Sequence, residues 1–223
     1  MPSQHQLPLP PLLSSFTDIH TYTPGRPGSI LSVPAEGVGV VVDTNRNKPL
    51  NERQYYSIQL HPWHLTESSI DTFLRAVEQY RDDPYFVAIG ECGLDGLCST
   101  PLDLQLSAFR AALQSAQSLG KPVIIHCVKL WSQVIAEAKP YMTHSKGTSE
   151  NTPPLIIHGF RKGPQLARQL LDAGFSISIG THHHPDILSI IPPHRLYHET
   201  DEENDSKGRM FLGPRIYRRF SRT

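Results

Sequence analysis

The sequence predicts a TIM (β/α)8 barrel, somewhat trimmed after its first strand. Three observations carry that prediction. Short apolar runs alternate with stretches of helical periodicity along most of the chain, the order that a parallel barrel requires. Several of the runs are β-branched and unbroken by polar residues, as strands covered on both faces are. Five of them end on or beside a side chain of metal-ligand type, where such a barrel opens its mouth.

The predicted strands are Phe16–His20, Gly37–Asp43, Tyr56–His61, Phe86–Glu91, Val123–His126, Leu155–His158, Phe175–Ile179 and Arg195–Glu199. Helices are expected at Ser68–Arg81, Pro101–Leu119, Leu130–Lys139, Gly163–Ala173 and His184–Ile190. In the longest, Leu102, Leu106, Phe109, Leu113 and Ala116 form one apolar stripe. Gly120 and Lys121-Pro122 stop it. The segment Thr23–Gly37 holds Pro24, Gly25, Pro27, Gly28 and Pro34. It cannot make an ordinary crossover helix, so the barrel is expected to be trimmed there, with Ser29–Val33 as an optional extra extended piece. Residues 1–15 read as a proline-rich arm, and 16–223 as one barrel domain with no internal repeat. Thr143–Pro154 is polar and reads as a surface loop.

Composition narrows the function. A chain of 223 residues buries roughly 70% of its surface on folding, enough for one sizeable core. Lys+Arg and Asp+Glu both number 21, so the formal charge is zero, which excludes a strongly basic nucleic-acid binder. Three cysteines make no closed disulfide framework, so a reducing cytoplasm is the expected compartment. The start lacks the basic and apolar regions of a signal peptide. No apolar run reaches the ~18 residues of a membrane span, so no membrane partner is expected. Twelve histidines in a neutral chain are the one oddity.

The chemistry sits at the strand ends. His20, Glu91, His126 and His158 end predicted strands, and Asp201 lies just past Glu199. Side chains there converge on one mouth although they are distant in sequence. Glu91 to His126, and His126 to His158, each advances by roughly one unit of a barrel of ~250 residues. Imidazoles with carboxylates suit Zn²⁺ or Mn²⁺, and a carboxylate can bridge two ions. Two bridged ions can clamp a phosphodiester and lower the pKa of a bound water towards ~7. Taken singly, each residue has a plainer reading. A histidine at a strand end is commonly a hydrogen-bonded core residue, Glu91 could be a buried ion-pair partner, and Asp201 a helix cap. Their shared position is what favours a metal centre. Cys92 and Cys127 neighbour Glu91 and His126, so strand alternation turns both thiols towards the surrounding helices.

The phrase Ile89-Gly90-Glu91-Cys92-Gly93-Leu94-Asp95 resembles the IGEIGLD motif of TatD-type metal-dependent hydrolases. Pro122-Val123-Ile124-Ile125-His126-Cys127, Leu155-Ile156-Ile157-His158-Gly159-Phe160, Glu199-Thr200-Asp201, Asp18-Ile19-His20 and Leu60-His61-Pro62-Trp63 are similar to further family segments, in the right order over about residues 16–223. The resemblance implies an amidohydrolase-type barrel acting as a deoxyribonuclease with two divalent ions, Zn²⁺, Mn²⁺ or Mg²⁺, on DNA or a small phosphodiester. It implies that Glu91 bridges the ions, that His126 and His158 hold one, and that His20 and Asp201 hold the other. Asp201 would also take the proton from the attacking water, so Glu91 and Asp201 are the expected catalytic residues. His61 would lie near the substrate phosphate, with His64 and Trp63 lining the mouth.

One departure from the family pattern matters. The family opens with His-x-His, whereas this chain has His20-Thr21-Tyr22. A phenol of pKa ~10 stays protonated and is a poor ligand. The cluster His182-His183-His184 offers a replacement through His182, against its preferred reading as a polar loop before a helix. Two other functions therefore stay open: an amidohydrolase-type C–N or ester hydrolase, and a catalytically weakened barrel that binds nucleic acid or a protein partner. The tail carries Lys207, Arg209, Arg215, Arg218, Arg219 and Arg222 without an acid, a local basic patch with which a neutral chain could meet DNA.

Overall fold

The structure is a computed structural model that describes residues 13–142 and 153–201. Most of the proline-rich arm, residues 143–152 of the polar loop and the basic tail lie outside the described residues. Eight parallel strands form one sheet in chain order. They are β1 (Asp18–Thr21), β2 (Ser29–Pro34), β3 (Tyr55–Leu60), β4 (Phe86–Asp95), β5 (Val123–Val128), β6 (Leu155–Ile157), β7 (Ser176–Ile179) and β8 (Leu196–His198). Between them run α1 (Val38–Arg46), α2 (Ser69–Tyr80), α3 (Leu102–Leu119), α4 (Trp131–Met142) and α5 (Pro164–Asp172). This is the expected barrel.

Its second unit is not where the sequence placed it. The segment read as a strand at Gly37–Asp43 is the start of helix α1, and the optional piece Ser29–Val33 is strand β2. The reason lies in the spacing of the valines. Val38, Val41, Val42 and Asn45 are buried together, a helical repeat. A strand would have buried Val38, Val40 and Val42 on one face, yet Val40 is 49% exposed. Asn45 then anchors the helix to the approach to β3: its Nδ2 donates to Gln54 O at 2.9 Å and its Oδ1 accepts from Gln54 N at 2.8 Å. The helix expected at His184–Ile190 is a single 3-10 turn, Pro185–Ile187. Pro192 and Pro193 follow closely, and a residue before proline avoids helical backbone.

The core has two parts. The larger packs strand residues such as Val33, Ile58, Ile125 and Ile177 against helix residues such as Phe73, Phe109, Val134 and Leu170. Cys92 belongs to this outer layer and Cys127 packs on it, as strand alternation predicts. The smaller joins the strand residues Ile19, Ile30, Val87, Ala88, Ile124 and Ile156, with Leu13, Phe16, Tyr55 and Tyr197 packed against them and no residue of α1–α5 among them, as a barrel lumen requires. Among the described residues no helix is long and apolar enough to cross a membrane.

The β1–β8 seam closes through side chains. Thr200 N approaches His20 O at 3.4 Å and donates to Asp18 Oδ1 at 3.2 Å, while Thr200 Oγ1 donates to Asp18 Oδ2 at 2.5 Å. Arg26, from the connection between β1 and β2, adds its Nη1 to Thr200 Oγ1 at 2.8 Å. This clasp holds a seam beside a crossover without a helix.

The burial pattern of α1 is testable by charge. Val38→Asp places an unpaired carboxylate in the core and should cost at least ~3 kcal/mol in urea unfolding. Val40→Asp on the exposed face should stay within about 0.5 kcal/mol of wild type. Equal losses at both positions would contradict the helix.

Candidate metal centre

Glu91 is the hub of the mouth. It lies on β4, almost wholly buried, and its two carboxylate oxygens face different partners. Around Oε1 stand His126 Nδ1 at 2.7 Å, His158 Nε2 at 2.8 Å and His61 Nε2 at 3.0 Å. On the other side Tyr22 donates its hydroxyl to Oε2, and His20 Nε2 lies 3.2 Å from the same oxygen. Asp201 completes the ring, its Oδ1 3.3 Å from His20 Nε2 and its Oδ2 3.9 Å from His158 Nδ1. The five residues that the sequence placed at strand ends thus meet in one site.

Two glycines make that convergence possible. Gly90 and Gly93 have φ of +122° and +144°. A Cβ at Gly90 would run into the carbonyl oxygen of Ile124, and one at Gly93 into that of His126. Without side chains there, β4 lies close enough to β5 for His126 to reach Glu91.

Two carboxylates back the histidines, and neither was singled out in the sequence as a site residue. Asp95 Oδ2 lies 3.1 Å from His126 Nε2 and accepts the Trp63 indole N–H at 2.5 Å, while Oδ1 accepts from Leu97 N at 2.7 Å. Glu199 Oε1 accepts from Gly159 N at 2.5 Å, and its Oε2 lies 3.9 Å from His158 Nδ1. The available signal was spacing: Glu91 and Asp95 lie four residues apart on β4, and Glu199 two residues before Asp201 just past β8. Carboxylates behind ligand histidines fix the tautomer and raise the basicity of the ring. With Nε2–H given to Asp95, His126 presents the Nδ1 lone pair to the site.

His61 is built differently. It caps the 3-10 turn Pro62–His64, and its Nδ1 accepts from Trp63 N at 3.1 Å. The neutral ring therefore carries its proton on Nε2 and faces Glu91 as a donor. His64 stands beside it with ring centroids 5.8 Å apart. Trp63 edges onto His61 at 5.0 Å and His126 at 5.9 Å, so these three residues line one side of the mouth. His182 is exposed and joins neither group of potential ligands found among the described residues. Those groups are His20 with His158 and Asp201, and His61 with Glu91 and His126.

Charge is balanced inside this cluster. Burial pushes the Glu91 carboxyl up, but His61, His158 and His126 overcome it and hold the group well below the carboxylate range. Burial disfavours the His20 imidazolium, yet Asp201 and Glu91 raise its pKa well above the ordinary value. His126, opposed by burial but supported by Asp95 and Glu91, is raised to about 9. Despite burial, His158 is raised by Glu91 and Asp201. Asp95 is partly desolvated, but His126 and Trp63 lower it to about 2. Burial and the neighbouring Asp201 raise Glu199. Asp201 itself is held low against burial by His158 and His20. Burial and Glu91 push the Tyr22 phenol up.

The donor set fits a divalent ion. Imidazole nitrogens and carboxylate oxygens within 4.8 Å of one another are the ligands of Zn²⁺ and Mn²⁺ sites. Several buried polar atoms also lack a hydrogen bond: both nitrogens of His20, His158 Nδ1 and Glu199 Oε2. His20 Nε2 is within ion-pair distance of two carboxylates but has hydrogen-bond geometry to neither. Orphaned histidine nitrogens beside buried carboxylates call for a cation, either a proton on the ring or a metal ion.

Fold and site together define a parallel barrel with an imidazole–carboxylate cluster at its mouth. The family model for TatD related DNase matches residues 40–218, and the chain belongs to that family. The 3'-5' ssDNA/RNA exonuclease TatD of Musicola paradisiaca is 33% identical over 152 residues, 64% of this chain and 54% of that protein. The same-named protein of Erwinia billingiae is 31% identical over 153 residues, 64% of this chain and 55% of its own length. The chain thus matches about half the length of these curated relatives. Among solved structures, a TatD homologue from Escherichia coli K12 superposes with a TM-score of 0.67 at 22% identity, covering 93% of this chain and 88% of the other. A TatD family hydrolase from Entamoeba histolytica gives 0.60 at 24% identity, over 77% and 59% of the two chains. At these identities the structures show the fold.

Two outcomes test this geometry. Asp95→Ala removes the acceptor behind His126 and should weaken Zn²⁺ binding by ~10–100-fold in calorimetric titration, with the circular dichroism spectrum retained. Unchanged affinity would remove Asp95 from the site. Because His126 titrates at about 9 without metal and a ligand imidazole must be neutral, protons compete with the ion. Apparent affinity should therefore rise as pH increases towards 9, with uptake of metal releasing protons. A flat profile from pH 6 to 9 would count against His126 as a ligand.

Proposed function

We propose that this protein is a metal-dependent phosphodiesterase that cleaves DNA or a small phosphodiester. The observation that carries the proposal is the convergence of His126, His158 and His61 on one oxygen of buried Glu91, with His20 and Asp201 beside the other. Membership of the TatD related DNase family and relatives named as exonucleases on single-stranded DNA and RNA support the same substrate class. The donor chemistry favours Zn²⁺ or Mn²⁺ over Mg²⁺, because imidazoles outnumber carboxylates. An ion held by Glu91, His126 and His158 would polarise a phosphoryl oxygen and lower the pKa of a water towards ~7.

The chain's own groups supply the rest. Asp201 has 21% of its side chain exposed, against 3% for Glu91, so it is the ligand-type carboxylate that solvent can reach. Its depressed pKa keeps it ionised at neutral pH, ready to accept a proton from the attacking water. His61, with its proton on Nε2, is placed to donate to a phosphate oxygen. Trp63 and His64 border the mouth, where an exposed indole offers a stacking face for a base. Free thiols at Cys92, Cys98 and Cys127 suit a reducing cytoplasm, the compartment we assign.

The deciding assay follows cleavage of an end-labelled single-stranded oligonucleotide and of bis(p-nitrophenyl) phosphate, with Zn²⁺ or Mn²⁺ and with chelator. Cleavage should vanish with chelator, and Asp201→Asn should lower the rate by ~10²–10⁴-fold. Full activity in chelator, or in Asp201→Asn, would refute the mechanism. Hydrolysis of amides with no phosphodiester turnover would move the protein to the C–N hydrolase class.

A further inference from the structure

The resemblance implies a pair of ions bridged by Glu91, each oxygen serving one. The two oxygens are not equivalent in this chain. Oε1 faces nitrogens that can turn lone pairs towards an ion, His126 Nδ1 and His158 Nε2. Together these make three protein ligands, the number a catalytic ion needs. Oε2 is already taken by the hydroxyl of Tyr22. What remains on that side is His20 and Asp201, 3.3 Å apart, one ligand short unless His61 or His158 supplies it.

His61 does not make up the deficit. Its Nδ1 accepts from Trp63 N, so its Nε2 carries a proton rather than a lone pair. His158 groups with His20 and Asp201, its Nδ1 3.9 Å from Asp201 Oδ2, but a neutral imidazole has one lone pair, and a His158 that ligates through Nε2 beside Glu91 Oε1 keeps a proton on Nδ1. The shape of tyrosine explains the rest. A phenol oxygen stands further from its Cα than an imidazole nitrogen does, by about the ~2 Å of one metal–nitrogen bond. A tyrosine at a ligand histidine's position therefore sets its oxygen near where that histidine's ion would lie. The Tyr22 ring is held there edge-on to His20, with centroids 5.1 Å apart.

We infer that the centre holds one divalent ion, on Glu91 Oε1 with His126 and His158, and that the Tyr22 hydroxyl fills the place of a second. The inference rests on the metal-dependent reading above, and ion counting separates the two. Full-length protein is stripped with chelator, reloaded with Mn²⁺ or Zn²⁺ and freed of excess ion. Metal per chain is then measured by mass spectrometry, and Mn²⁺ samples are examined by electron paramagnetic resonance. Wild type should hold one ion with an uncoupled Mn²⁺ spectrum. Tyr22→His should hold two, with the spin-coupled spectrum of a bridged pair. Tyr22→Phe, which only frees Oε2, should take a second ion more weakly. Two ions per wild-type chain would overturn the inference, as would folded Tyr22→His and Tyr22→Phe proteins that both stop at one. No ion in wild type at millimolar metal would instead overturn the metal-dependent reading. If the variants fail to fold, the wild-type count still decides.

Discussion

A buried carboxylate must be compensated, and in this molecule that carboxylate is Glu91. Isolated in a protein interior, its charge would cost several kcal/mol. Its partners come from β1 and β5, from the residues just after β3 and β6, and from Tyr22 beyond β1. Strands on opposite sides of the barrel are therefore aimed at one point. The hydrophobic layer between sheet and helices would tolerate small shifts of a strand along its axis. The cluster does not, because each shift withdraws a partner from a buried charge. Barrel and site thus constrain each other.

The remaining features serve that aim. The glycines at 90 and 93 let β4 and β5 approach, which brings His126 within 2.7 Å of Glu91. At the seam, Asp18 fixes Thr200 through both backbone and hydroxyl, and Asp201 is the next residue. A crossover helix would ordinarily support the β1 side of that seam. Here Arg26 reaches Thr200 instead, so polar side chains do work that apolar packing does elsewhere in the barrel.

How much of this was legible in the sequence follows from what each signal measures. The mouth residues were readable because a polar ligand type closing an apolar run breaks the pattern sharply, as at His20, Glu91, His126 and His158, although the strands themselves do not end there: β4 runs on to Asp95 and β5 to Val128. The nature of residues 37–43 was not readable from β-branching, because valine suits a strand but does not forbid a helix. The period decided it, through Val38, Val41, Val42 and Asn45. β2 hid among prolines and glycines, whose turn signal outweighed six residues of extended chain. Asp95 and Glu199 were overlooked because their work is done on other side chains. A residue that orients a ligand leaves no spacing rule of its own, only closeness to a ligand along the chain. The resemblance implies only that His61 lies near the substrate phosphate; the bond from Trp63 N to its Nδ1, invisible in sequence, makes it a donor.

Counter-charge links these observations to substrate. His20, His126 and His158 all have raised pKa values without metal, so protons can stand where a cation belongs. Protons and a divalent ion are then alternative partners for the same carboxylates. They are not equal towards a phosphodiester. A proton on a buried imidazole is spent on Glu91 or Asp201, while an ion with an open coordination position keeps charge facing the mouth. The chain has no net charge with which to attract a polyanion from a distance, and Glu91, Asp95 and Asp201 alone would repel one. On the phosphodiesterase reading proposed above, the ion that would activate water would therefore also provide much of the local attraction for phosphate at the mouth.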